Sequence, residues 1–577
     1  MENPRMIQNW PVPPGKHGTQ NKVPSTILYQ DKHKVGEWGF TCGNHRDMVE
    51  WFKTLLEEES LKSMLVMSKE KKVTPLFSTV EEVREIYGDY MKCLYQHISR
   101  KLQEDNKSWK RQTVEFAFSL PPAFGTIDVS NALMEHIKRA GFGSGGKRHR
   151  VLWGLSEPQA SAVYTAKKAN VSFKKKDIIL VCDAGGGTTD LALLRQEGTE
   201  DLVSFTELSI SRGNMIGSTD IDRAFEEMVE ERLSKAKDLS CLNDAANIMM
   251  HSDEFQTWKH SFGKIEESQF GMAKIPVPII LEGTITDEAA GVSDGKMKFS
   301  HEDFCSLFDP QVDDIITSIK LMIDEATDEN TGNNPDYLVL SGGLGSSAYV
   351  WQRVKEAFPN LKVIVAEADE PQLAVAKGLV LDRMHMAKLG KAALRVRKAR
   401  ASYGVVTRER YDKRSHSGKQ PTVSTLDGEL WIEDEIKWVI RKGNNIDAEQ
   451  SGKNHGFSRA FTNRGKPGIV RRELVICHND KDRLPTSRDN ADIFTLCHIE
   501  SDLSKIDSRH IIERQGRKPF WKFWRKALTY YEIKYAVKFV IGSMDARFEI
   551  WIGDQEYAKK NSFKVDWENE GTRSSLK

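Results

Sequence analysis

Two aspartates bracket three glycines and two threonines in Asp183-Ala184-Gly185-Gly186-Gly187-Thr188-Thr189-Asp190, a composition suited to holding phosphate. Glycines without Cβ let backbone N–H groups close around phosphate oxygens. The two carboxylates could hold a hydrated magnesium, because Mg²⁺ keeps several waters and takes few direct protein ligands. Apolar, β-prone runs flank the cluster, Ile178 to Cys182 before it and Leu191 to Leu194 after it, so the spacing predicts a β-hairpin. No Gly-Lys-Ser/Thr opens a helix here, which excludes a P-loop. Cys182 lies in the first strand and reads as buried filler, not as a nucleophile.

A second glycine cluster lies further on. Tyr337 to Leu340 is a short strand of buried type, followed by Ser341-Gly342-Gly343-Leu344-Gly345-Ser346-Ser347. Ala348 to Phe358 then carries apolar residues at helical spacing and is stopped by Pro359. Strand, glycine loop, helix start: that order suits a nucleotide's sugar or phosphate lying against bare backbone. The loop also scans as the dinucleotide fingerprint Gly343-x-Gly345-x-x-Ala348, with Glu367 about 24 positions on where a ribose-binding acid could sit. A dinucleotide-dependent enzyme is therefore an alternative, although it leaves the Asp183–Asp190 hairpin unexplained.

Together these residues resemble the actin-like ATPases, specifically the 70-kilodalton heat-shock protein family and its divergent branch common in filamentous fungi. That resemblance implies a two-lobed α/β fold of the actin-like, ribonuclease-H-like type. It also implies ATP or ADP with magnesium as cofactors, held through water by Asp183 and Asp190. In the family a hairpin like Asp183–Asp190 binds the β- and γ-phosphates, so Gly185, Gly186, Gly187, Thr188 and Thr189 are the implied contacts. Glu157, in Glu157-Pro158-Gln159-Ala160-Ser161-Ala162, sits where the family has a metal- and water-organising glutamate. Lys53 sits where it has a lysine near the γ-phosphate.

Gly342 and Gly343 match the adenosine loop, and Gly217 opens a matching Gly-Ser-Thr-Asp element. Lys259, in Phe255-Gln-Thr-Trp-Lys259, is similar to the helix that closes over adenine. Leu120-Pro121-Pro122-Ala123-Phe124 is a further match. Two departures accompany these. Residues 1–22 contain no first phosphate hairpin of type Asp-x-Gly-Thr-Thr, and Gln372 replaces an acid common near the adenosine. The resemblance thus implies a chaperone-type ATPase with weakened or lost hydrolysis, or a non-catalytic interaction protein on the same fold. Its implied partners are the nucleotide and protein clients or co-chaperones.

The elements that must position these groups alternate strand and helix from Val23 to about residue 390, an α/β pattern. Lobe boundaries fall at about 23–175 and 176–380. Residues 391–402 read as a basic linker, continuing a helix that runs from Pro371 to about Arg395. Beyond Tyr403 the texture changes: Ile533, Tyr535, Val537, Phe539 and Ile541 alternate with polar residues, as do Phe548, Ile550 and Ile552. Period two predicts half-buried strands, hence a β-rich domain over 403–577.

With 577 residues, 39% hydrophobic and 29% charged, the composition is that of a multidomain globular protein. A net charge of +1 gives no global field for nucleic acid. No apolar run has membrane length, and Met1 to Gly15 lacks a signal-peptide core. Seven scattered cysteines fit reduced thiols, so the expected compartment is the cytoplasm or nucleus. Cys477-His478 and Cys497-His498 invite a zinc reading, but neighbours on a strand face opposite ways. The aromatic–basic run Phe520 to Arg525 reads as a strand edge or loop.

Overall fold

The run Ile178 to Cys182 shows no polar alternation because its strand, Ile178–Ala184, is covered on both faces. In the computed structural model it pairs in parallel with Tyr337–Ser341 and antiparallel with Thr189–Gln196. Lys362–Val365 continues the sheet beyond Tyr337–Ser341. Phe205–Glu207 and Arg212–Asn214 pair with Thr189–Gln196.

The structure describes all residues except 1–3, 16–18, 32–33, 46, 71–75, 125, 169–172, 199–202, 237–243, 279–285, 329–331, 367–370, 448–453, 463–467, 505, 517–527, 543–545, 554, 558–562 and 568–577. Glu367 and the Phe520–Arg525 run therefore lie outside the described residues. The chain divides into two compact units. One is Met1–Gly125 with Val129–Leu394, the other Thr126–Asp128 with Arg395–Lys577.

In the first unit, alternate strand residues serve two different cores. Leu180, Cys182, Leu191 and Leu193 pack with Ile221, Phe225, Phe255 and Phe304, which come from helices Ser218–Ser234, Asp253–Ser261 and His301–Asp328. Ile179, Val181, Ala192 and Leu194 face the other way, onto helices Glu157–Lys168 and Ala374–Leu389. Helices on both faces of a largely buried sheet make this unit mixed α/β. Those last two helices approach closely, since a Cβ on Gly378 would overlap the Ala160 carbonyl. Elsewhere in the unit Val114–Phe118 and His149–Trp153 pair in parallel, and Ile27–Asp31 and Lys34–Trp38 form a hairpin.

Two expectations need correction around residue 390. The helix after Pro371 ends at Leu389, where Gly390 takes φ 68° and its N–H bonds the Met386 carbonyl. The segment 391–402 is not a plain linker: Leu394–Lys398 is a strand paired antiparallel with Asn445–Asp447. Its arginines and lysine disguised a strand that buries Leu394 and exposes Arg395.

The second unit is built from strands. One sheet contains Ser402–Arg410, Leu430–Ile440, Ile469–Cys477 and Phe494–Asp502. The other contains Asn454–Phe461, Thr529–Ile541 and Ala546–Ile552. Val405, Leu474 and Leu496 from the first share a core with Val537, Phe539, Phe548 and Ile550 from the second. Ile533, Tyr535, Val537 and Phe539 are buried, as period two requires, and Ile541 is half-buried. No helix among the described residues is long and apolar enough to cross a membrane.

Candidate functional site

Asp183 and Asp190 are register partners across the hairpin, so their side chains leave the sheet on one face. Between them the turn is closed by Gly185 N–H donating to the Thr188 carbonyl at 2.8 Å. Helix Ser218–Ser234 anchors the turn from behind. Ser218 N–H donates to Gly185 O at 3.1 Å and Thr219 N–H to Gly186 O at 2.8 Å, which fills two donors that a helix start leaves open. In a trans peptide the N–H points opposite to the preceding C=O. The amides of Gly186 and Gly187 therefore face away from that helix, and they donate to no other described residue.

Each glycine has its own reason. A Cβ on Gly217 would overlap the Gly186 backbone, and one on Gly187 would overlap Thr54, whereas Gly186 faces open space. Gly185, expected as a backbone donor, has its N–H committed to the turn. Thr188 donates to Asp190 Oδ2 at 2.8 Å. Thr189 is fully buried and donates to the Ile216 carbonyl at 2.9 Å, so it braces the hairpin from inside.

Glu157 opens helix Glu157–Lys168 and pairs with Lys53 Nζ at 3.0 Å. Lys53 follows Trp51, whose φ of 56° is uncommon for a bulky residue and whose ring meets the Arg223 guanidinium at 5.2 Å. Thr54, one residue on, abuts Gly187, which brings Lys53 to the glycine turn. The Leu120–Phe124 motif supports the same face, because Gly213 is wedged between Ala123 and Asp190.

Three carboxylates thus share a small volume. Burial pushes Asp183 up to about 6, aided by the Glu157 charge and opposed by the Ser341 hydroxyl, Lys22 and Lys53. Asp190 is raised well above the usual carboxylate range by burial, then by Glu157 and Asp183, despite its bond from Thr188. Burial pulls Lys53 down, but Glu157, Asp190 and Asp183 outweigh it and hold the ammonium above its ordinary value. A cation would relieve this crowding. Asp190 Oδ1 is buried and accepts no hydrogen bond, so the donor set suits one. Among the described residues no three His, Cys, Asp or Glu side chains are placed to share an ion directly, so a cation here would be held through water.

The second glycine loop meets the first. Gly342 has φ 81°, and a Cβ there would overlap the Ala184 carbonyl and press on Asp183. Ser341 donates to Asp183 Oδ1 at 2.6 Å. Gly343, next along, faces open space. Lys259 is buried, with both Asp222 oxygens at 2.7 Å and the Ser218 carbonyl at 3.0 Å. Those contacts hold the start of the helix that anchors the turn.

Sequence reasoning missed the contact of Ser341 with Asp183, because a serine bounding a glycine loop carries a weak signal.

A profile for a domain of unknown function (DUF8340) matches residues 174–368, which include the hairpin and the second glycine loop. Another domain of unknown function (DUF8568) matches residues 397–569. Among curated proteins, the chain is 28% identical over 251 residues to the chaperone protein DnaK of Endomicrobium trichonymphae, covering 43% of this chain and 36% of that one. With DnaK of Nitrosopumilus maritimus it shares 24% over 285 residues, 49% of this chain and 40% of the relative. The chain spans well under half the length of these relatives. It is related to the heat-shock-70 chaperones over part of its length.

Proposed function

We propose that this chain is a heat-shock-70-like nucleotide-binding protein on a two-lobed actin-like fold, taking ATP or ADP with magnesium. The observation that carries this reading is the meeting of both glycine loops at Asp183, opposite the Lys53–Glu157 pair. Phosphate oxygens would accept from the Gly186 and Gly187 amides, whose carbonyl sides are already tied down. Lys53 would offset the charge of the terminal phosphate, and Glu157 would orient the attacking water. Magnesium, held through water by Asp183 and Asp190, would supply further charge neutralisation. The adenosine would lie over Gly343, where no protein atom intrudes.

The nucleotide-binding region would comprise residues 23–390, with 403–577 as a β-rich output domain acting on protein clients or co-chaperones in the cytoplasm. The relatives' name as chaperone proteins supports the protein clients in that reading.

A second reading is favoured by one contact. Lys53 and Glu157 are paired with each other, so neither is free to order phosphate and water, which suits a pseudo-ATPase that binds nucleotide and partner without turnover. Calorimetric titration with Mg-ATP, followed by a steady-state phosphate-release assay, separates the two. Binding with magnesium-dependent release supports the first reading and binding without release the second. No binding would refute both.

A further inference from the structure

Helix Glu157–Lys168 starts on a buried polar network. Ser156-Glu157-Pro158-Gln159 has capping-box spacing, and the Gln159 carboxamide oxygen accepts from the Ser156 N–H at 3.1 Å. The other end of that carboxamide, Nε2, donates to Glu207 Oε1 at 3.2 Å. The same Glu207 oxygen accepts from the Ser211 N–H at 3.3 Å and from the Ser211 hydroxyl. Ser156, Gln159, Glu207 and Ser211 are all buried.

Each end of this network adjoins a carboxylate of the glycine-turn site. At one end, Glu157 follows Ser156 directly, and its N–H donates to the Leu120 carbonyl at 3.4 Å. At the other, Ser211 leads into strand Arg212–Asn214, where Gly213 is the register partner of Asp190. Glu207 itself pairs with Leu194 on the strand that carries Asp190. The chain neighbours and strand partner of the pair, Ala160, Leu194 and Phe205, belong to an apolar core. Burying a carboxamide and a carboxylate there costs more than burying an apolar pair of the same size. What the polar pair adds is direction. It fixes the rotation and height of the helix start, and a misplacement of about 1 Å at a functional group can cost about 10²-fold.

We propose that Gln159 and Glu207 are positioning residues of the magnesium–phosphate site: their hydrogen bond sets where the Glu157 carboxylate stands relative to Asp190. They act through Glu157, not by contact with the nucleotide. This deepens the nucleotide reading above and rests on it.

The test is calorimetry on the full chain with ATP, in magnesium and in EDTA, with far-ultraviolet circular dichroism checking each fold. Gln159→Met keeps the side-chain volume and loses both hydrogen bonds. It should weaken Mg-ATP by about tenfold and leave metal-free ATP within about threefold of the parent. In a Glu157→Gln background the same change should add less than about threefold, because the group it acts through is already gone. Gln159→Glu combined with Glu207→Gln reverses donor and acceptor across the pair, so Mg-ATP affinity should return to within about threefold of the parent. If Gln159→Met fails to fold, Gln159→Glu alone, which loses the donor toward Glu207, takes its place with the same expectations. Parental Mg-ATP affinity in the folded variant would overturn the assignment and leave the nucleotide reading standing. So would equal weakening with and without magnesium, an undiminished loss beside Glu157→Gln, or an exchanged pair that does not recover. Absence of any ATP binding in the parent would overturn both.

Discussion

Asp183 accepts one hydrogen bond, from Ser341, and shares its surroundings with Glu157 and Asp190, so its ionised form is crowded. The sign of the consequence follows. The folded chain holds this proton more tightly than the unfolded chain does, where aspartate titrates near about 3.9. Its contribution to stability is complete below that value and is lost as pH rises through about 6. Asp183→Asn should therefore raise the ligand-free melting temperature at neutral pH, while lowering Mg-ATP affinity by about tenfold or more. A mutant that melts lower and binds as well as the parent would show that the carboxylate is structural.

The same titration shapes binding, since a hydrated cation needs the carboxylate ionised. The part of Mg-nucleotide affinity that depends on Asp183 should level off above about pH 6. Below it, affinity should fall by up to about tenfold per unit as Asp183 takes up its proton. Calorimetry across that range reads the midpoint directly. Burial sets it first and Glu157 raises it further, while Ser341, Lys22 and Lys53 pull it back.

Two neighbouring glycines separate structure from ligand at the level of the element. Gly342 is forced by φ 81° and by the Ala184 carbonyl, so Gly342→Ala should destabilise the fold by at least about 1–3 kcal/mol in denaturant melts. Gly343 has open space around it, so Gly343→Val should leave stability near parental and weaken ADP and ATP together. A stable Gly343→Val that binds ADP normally would remove the adenosine from this loop.

The hairpin was legible in the sequence because both of its strands are buried on both faces, which leaves long apolar runs interrupted only at the turn. The pairing of Ser341 with Asp183 was not legible. It depends on the parallel register of two strands far apart in the chain, and nothing local encodes that. Lys259 was legible as a helix residue, but its buried pairing with Asp222 was not. The strand Leu394–Lys398 was hidden because its charges mask a short alternation.

At the scale of the whole molecule, the two units differ in kind. The first has helices against both faces of a sheet, and every candidate site residue belongs to it. The second is a pair of sheets with a shared core, and the zinc pattern there dissolves into strand register: Leu474 faces Cys497 and Ser402 faces Cys477. The dinucleotide alternative is decided by titration with NAD. The glycine packed against hairpin backbone is Gly342, outside the Gly343-x-Gly345-x-x-Ala348 fingerprint, whose own first glycine faces open space.

Calorimetric titration of the full chain with Mg-ADP and Mg-ATP, beside NAD, tests the central claim most directly. Adenine nucleotides should bind at a single site, and Asp183→Asn should weaken them by about tenfold or more, with NAD much weaker than either. Tighter binding of NAD than of ADP, or no heat from either adenine nucleotide, would contradict it.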